Sequence, residues 1–391
     1  MSRFLFVVPP LVGHVNPAVA VAAELSGRGH HVTWAGHPGI LVELAGRAEI
    51  HACDVPRELR RPPGLRGMAA LHYLWQDFLV PLARTMAPGV ERAVAAFRPD
   101  VIVADQQALA GALAAERLGI PHATSATTSA EFSAALAGMP KVEEWIGRQL
   151  SGLRDAFGDP SRTHDLRFAP DLVLAFTTVA LAGDCAVPPQ TRFVGPALAH
   201  RPDPVPFPWE WLDPGRHTVL ISLGTANTGL GGRFLVECAA AVRDRAERVQ
   251  AVIADPGGVL GEVEDPDVLA MPRIPQLALL PRASAVICHA GHNTVAESLL
   301  HGVPLVVAPI RDDQPVVAAQ VAAAGAGIRV RFGRSDRHTI GAAVDAVLDD
   351  PRYRDAAEHV RESFRAAGGA ASAATHLEAC AAGQHEERGR P

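Results

Sequence analysis

Residues 288–314 read CHAGHNTVAESLLHGVPLVVAPIRDDQ, and this run decides the fold of the half that holds it. A short apolar strand over 285–288 runs into a glycine turn, and a helix is expected to begin near Asn293. A second apolar strand follows over 304–309, and the run closes on the pair Asp313-Gln314. A turn that aims backbone N–H groups outward at a helix start is a natural seat for phosphate. The polar side chains grouped around that seat fit a diphosphate with sugar hydroxyls at either end.

Outward from this run, strands and helices alternate in both directions. In the second half, strands are read at 218–223, 249–253, 268–271, 285–288, 305–308 and 328–330. In the first half they are read at 4–8, 31–35, 49–53, 101–104 and 122–125, with shorter late strands at 172–176 and 192–194. The first helix is expected over about 17–26, with Asn16 as N-cap and Pro17 at the first helical position. A long helical stretch is expected over 69–97. Such alternation predicts an α/β protein with doubly wound parallel sheets. Residues 199–215, AHRPDPVPFPWEWLDPG, carry five prolines and no period, which reads as a semi-rigid linker. The expected division is 1–200, a linker at 201–215, a second domain over 216–365, and a terminal helix with a frayed tail over 366–391.

Composition narrows the function classes. In 391 residues, 48% are hydrophobic and 20% charged, the profile of a soluble globular chain. The net charge is −6 and no basic block precedes the mixed-charge tail, so nucleic acid is not an expected partner. Five scattered cysteines without C-x-x-C spacing argue against a disulfide framework or zinc site and favour a reducing compartment. No apolar run approaches the ~18 residues of a membrane span, and the opening MSRFLFVVPP is too short in apolar length for a signal peptide. The expected location is the cytoplasm. The first strand leads to PPLVGH rather than G-x-G-x-x-G, and the only lysine, Lys141, follows no P-loop glycines, which argues against nicotinamide cofactors and P-loop nucleotides.

The pattern His289, Gly291, Asn293, Thr294, Glu297, then Gly302-Val303-Pro304, Pro309 and Asp313-Gln314 resembles the donor-binding motif of the UDP-glycosyltransferase superfamily (family 1), whose bacterial natural-product, macrolide-type members come nearest in setting. The resemblance implies the GT-B fold, two tandem Rossmann-like domains facing across a cleft. It implies that His289 donates to the diphosphate, that Asn293, Thr294 and nearby amides hold it, and that Glu297 accepts from ribose hydroxyls. Asp313 and Gln314 would grip the sugar, Asp as acceptor only and Gln as donor and acceptor. Gly224-Thr225, straight after a strand, would let backbone and hydroxyl approach a phosphate. Arg273-Ile274-Pro275-Gln276 stands where the family usually carries Trp before its x-P-Q, and a guanidinium plane can stack on a base in its place. His292 replaces the Trp of plant members, and Val317 an Asn. Singly, these residues have plainer readings: Asn293 or Thr294 as N-cap, Glu297 as a first-turn charge, and Asp313 as a cap for the next helix.

Sugar transfer needs an acceptor hydroxyl made nucleophilic, and histidine is suited to take its proton at neutral pH. His14 lies in G-H-x-N-P, expected in the loop after strand one, where the family carries its general base. Asp105 ends the strand VIVAD and is the expected partner for the other ring nitrogen. In strand order 3-2-1-4-5 these two positions flank the switch point. The resemblance implies direct displacement with inversion, without a metal or other cofactor. The one D-x-D, Asp265-Pro266-Asp267, reads as a turn before a strand. Tyr73, Trp75, Phe78, Phe132, Met139 and Trp145 are candidates to line a pocket for a small hydrophobic acceptor, with core packing as the alternative. The expected partners are a nucleotide sugar (dTDP- or UDP-activated) and that acceptor, in a monomer or homodimer. Two other functions stay open: a nucleotide-sugar 2-epimerase on the same fold, and a non-catalytic nucleotide-sugar-binding partner protein.

Overall fold

The computed structural model describes residues 1–56, 62, 64–65, 67–132, 138–198, 205–224, 231–261 and 265–388, the last five by backbone alone. The chain divides into two compact units. The first comprises Met1–Thr177, Cys185–His200 and Ala367–Pro391; the second comprises Thr178–Asp184 and Arg201–Ala366.

The first unit runs β1 (Arg3–Val7), α1 (Val12–Gly27), β2 (His31–Gly36), α2 (Pro38–Ala45) and β3 (Glu49–Ala52). It continues with α3 (Gly67–His72), a π-helical segment (Tyr73–Leu79), α4 (Val80–Phe97), β4 (Val101–Asp105), α5 (Leu109–Leu118) and β5 (His122–Ala126). Then come α6 (Pro140–Phe157), β6 (Leu172–Ala175) and β7 (Thr191–Phe193), with α7 (Val179–Ala182) between the last two in the chain but belonging to the second unit. All strands are parallel, in the order β3-β2-β1-β4-β5-β6-β7.

The second unit runs β8 (His217–Ser222), α8 (Gly232–Arg243), β9 (Val249–Ala254), β10 (Val268–Met271) and α9 (Gln276–Leu279). It continues with β11 (Ala285–Cys288), α10 (His292–Leu300), β12 (Leu305–Val307), α11 (Gln314–Ala323), β13 (Gly327–Arg329), α12 (Arg337–Asp349) and α13 (Pro351–Ala367). Its parallel sheet has the order β10-β9-β8-β11-β12-β13.

Continuous apolar strand sequences follow from burial on both faces. Leu5, Val7, Ile102 and Ala104 enter one core cluster, while Phe4, Phe6, Val101 and Val103 enter another. Successive side chains point to opposite faces of a strand, so each sheet has two cores. The second sheet repeats this, with Val219 and Ile221 on one face and Leu220 on the other. Burying each such Leu, Ile or Phe contributes about 1.5–3 kcal/mol.

Two expectations change. The first helix begins at Val12, so Asn16 and Pro17 lie inside it, and Leu11 is its N-cap. Pro17, the sixth residue of the helix, has no N–H to give the Gly13 carbonyl, so α1 goes on past it with one backbone bond fewer. His14 therefore sits in the first helical turn rather than in a loop, with its amide bonded to the Leu11 carbonyl at 3.0 Å. Second, the terminal helix α14 (Gly369–Arg388) is part of the first unit. Its Ala373, Ala374, Leu377 and Ala381 complete the core beneath α1, and Arg28 holds Glu378 at 2.8 Å. The stretch read as a semi-rigid linker lies against the second unit where it is described. Phe207, Trp211 and Leu212 pack on the second unit's core; residues 201–204 lie outside the described residues. No helix among the described residues is long and apolar enough to cross a membrane.

Candidate active site

In an open parallel sheet the carboxyl ends of the strands where the order reverses hold ligands. The first sheet reverses between β1 and β4, and the second between β8 and β11. The two polar clusters read from the sequence fall on those two places.

At the first, α1 carries His14 just beyond β1, and Asp105 closes β4. The His14 Nδ1 lies 2.9 Å from Asp105 Oδ1 and 3.0 Å from Oδ2. The Asp105 side chain is 0% exposed and that of His14 is 16% exposed. A buried carboxylate needs donors. Oδ1 also accepts the Gln107 amide at 2.8 Å, and Oδ2 accepts the Thr127 hydroxyl at 3.0 Å. Facing a carboxylate, Nδ1 carries the imidazole proton, which leaves the lone pair on Nε2. The Thr127 hydroxyl also lies 2.7 Å from His14 Nδ1. Thr127 has no signal in the sequence: it is one of several hydroxyl residues in TSATTSAE. Strand pairing brings it here, since Asp105 is opposite Ser125 and residue 127 shares that side by the period of two.

At the second, β8 and β11 pair with Cys288 opposite Ser222. Gly224 follows β8 with φ +69°, and a Cβ there would lie 2.8 Å from the His289 ring. Only glycine fits that left-handed backbone against the ring. Burial holds the His289 imidazole below its ordinary pKa, opposed by the negative charge of Asp313. The next residue, Ala290, has φ +63°, and Asp312 has φ +58°. Non-glycine residues in this region store about 1–3 kcal/mol each. Among the described residues of the second unit, both such positions lie within the 289–314 run.

Helix α10 begins at His292, with Gly291 as an extended N-cap that offers no side-chain bond. The capping role considered for Asn293 and Thr294 is therefore not theirs; both lie inside the first turn. Glu297 is one turn further on, buried, and accepts a bond from the Gln276 amide of α9. That excludes a first-turn charge role. Asp313 occupies the N-cap position of α11 without a side-chain cap bond. Gln314 Oε1 accepts from the amides of Ile310 at 2.9 Å and Arg311 at 3.0 Å, fixing the turn after β12. Arg273 is exposed and Ile274 half-buried just before α9. Thr225 lies outside the described residues.

The aromatic candidates separate. Trp75 and Phe78, on the π-helical segment, are buried in the first core, and Phe132 is buried against Phe168 and Phe193. Tyr73 and Trp145 pack partly buried against the first core, with Trp145 stacked on His72. Met139 is exposed. Asp265 and Asp267 are structural: Asp265 Oδ1 accepts the amides of Asp267 and Val268 ahead of β10, and Asp267 pairs with Arg216.

Two doubly wound sheets with polar clusters at both reversal points define the architecture of GT-B glycosyltransferases. The chain is similar over 97% of its length to the solved glycotransferase of kitacinnamycin, at TM-score 0.82 and 26% identity, covering 98% of that chain. A family model described as UDP-glucoronosyl and UDP-glucosyl transferase matches residues 170–362. The 4'-demethylrebeccamycin synthase of Lentzea aerocolonigenes is 32% identical over 410 residues, spanning 93% of this chain and 96% of that protein. Demethyllactenocin mycarosyltransferase of Streptomyces fradiae is 28% identical over 405 residues, spanning 97% and 86%. The chain belongs to the UDP-glucoronosyl and UDP-glucosyl transferase family and is a glycosyltransferase that uses a nucleotide-activated sugar.

Proposed function

We propose that this enzyme moves a hexose or deoxyhexose from a dTDP- or UDP-activated donor to a hydroxyl of a small hydrophobic natural product, with inversion and with His14 as general base. The observation that carries this reading is the buried Asp105 on His14 Nδ1, because a proton held there puts the basic lone pair on Nε2. In the reaction the acceptor O–H gives its proton to Nε2 as its oxygen bonds to the anomeric carbon. The bond from that carbon to the β-phosphate oxygen breaks, and the nucleoside diphosphate leaves with the electron pair. Asp105 stabilises the imidazolium that forms.

The second unit supplies the donor site in this reading. His289 and the start of α10 face the diphosphate, Glu297 with Gln276 the ribose, and Asp313 with Gln314 the sugar. The relatives named for rebeccamycin and lactenocin chemistry support a natural-product acceptor and a deoxysugar-type donor. The test is a thermal-shift screen of UDP- and dTDP-sugars, in which the cognate donor raises Tm by mass action. Transfer is then assayed with that donor. Incubation with donor alone that yields an epimer instead of slow hydrolysis would replace transfer by 2-epimerisation.

A further inference from the structure

Thr127 lies outside the motifs that identify the family, yet its hydroxyl lies 2.7 Å from the His14 Nδ1. A threonine hydroxyl has one proton and two lone pairs. Its proton is committed to Asp105 Oδ2 at 3.0 Å, so towards His14 the oxygen can only accept. The three side chains thus close a ring of hydrogen bonds: His14 shares its one Nδ1 proton between Asp105 and Thr127, and Thr127 donates to Asp105. Asp105 and Thr127 are both buried, so water does not compete.

We infer that Thr127 is a positioning residue that fixes the orientation of the His14 base. The two carboxylate oxygens are nearly equal acceptors for Nδ1, at 2.9 and 3.0 Å, and by themselves they let the ring rock between them. A third acceptor outside that pair restricts the ring and so aims Nε2. The same hydroxyl accepts more strongly once the ring becomes imidazolium. Thr127 is held in turn by the strand it follows, because β5 is paired on both sides, with β4 and β6. This inference rests on the reading of His14 as base.

The experiment compares Thr127→Val, which keeps shape and removes the hydroxyl, with Thr127→Ser, which keeps the hydroxyl. UDP-glucose and dTDP-glucose serve as donor probes and 4-methylumbelliferone as acceptor probe. Thr127→Val should lower kcat by about tenfold to a hundredfold with the donor KM within about twofold, and Thr127→Ser should restore kcat to within about threefold. In an Asp105→Ala background, Thr127→Val should cost less than about twofold, since the ring is already broken. Proton NMR gives a readout independent of turnover. The downfield Nδ1 proton of His14, identified by its loss in His14→Ala, should persist in Thr127→Ser and shift or broaden in Thr127→Val. A Thr127→Val enzyme that melts earlier but keeps the native kcat and the native resonance would make the hydroxyl purely structural and overturn the inference. If instead His14→Ala turns over normally, the base assignment falls, while the resonance still reports on Thr127.

Discussion

The two units share a topology and differ in how they build chemistry at the same topological place. The reversal point of the first sheet gathers His14, Asp105 and Thr127, which are 91 and 22 residues apart along the chain. That of the second draws most of its polar groups from one run, residues 289–314, with backbone shape set by Gly224, Ala290 and Asp312. One site is assembled by side chains meeting across strands, and the other is written into consecutive turns. The first should therefore fail through single side-chain deletions, and the second through backbone crowding.

The largest effect should come from His14→Ala, which removes the proposed base: transfer falls by about 10³-fold with nucleotide binding retained, read by kinetics and a thermal-shift titration with UDP and dTDP. Near-native turnover would end the comparison at its first term. Next, Trp75→Ala should cost about 3–5 kcal/mol in urea unfolding, because it empties a packed core, while Met139→Ala should stay within about 0.5 kcal/mol. Equal effects would mean that Trp75 is not held as the core places it.

A buried histidine alone does not make a site, and His122 at the amino end of the first sheet shows why. Burial, reinforced by His164, pushes it down to about 4, against Glu116. Its folded pKa is below the unfolded value of 6.5, so its neutral form is the one the fold holds. Stability is full above pH 6.5 and is lost as pH falls towards 4, by roughly 3 kcal/mol. His122→Leu should remove that part of the pH dependence in urea melts; parallel curves for both proteins would refute it. The smallest effect tests the second site: Gly224→Ala, with its left-handed backbone and close His289 ring, should weaken UDP or dTDP binding by about tenfold. Unchanged affinity would detach Gly224 from the donor site.

Much of this was legible beforehand, for identifiable reasons. The alternation of apolar strands gave both sheets, because burial on two faces demands continuous apolar runs. The order of strands one and four brought His14 and Asp105 together from topology alone. The start of α1 was misjudged because Asn-Pro is a strong local cap signal, and here α1 already begins at Val12 and continues past it. The aromatic candidates divided into core and surface because a residue type does not reveal which side of a helix meets a sheet. Sequence likewise could not attach α14 to the first unit, since its alanines carry no address until α1 is packed beneath them.

By itself, then, the sequence determined the α/β architecture and the contiguous polar run over 289–314, because periodicity and turn chemistry act between near neighbours. Only the tertiary structure decided that Thr127 joins the dyad, that Gly291 rather than Asn293 caps α10, and that Trp75 belongs to the core. Each of those depends on register and packing between segments far apart in the chain, and no local pattern encodes them.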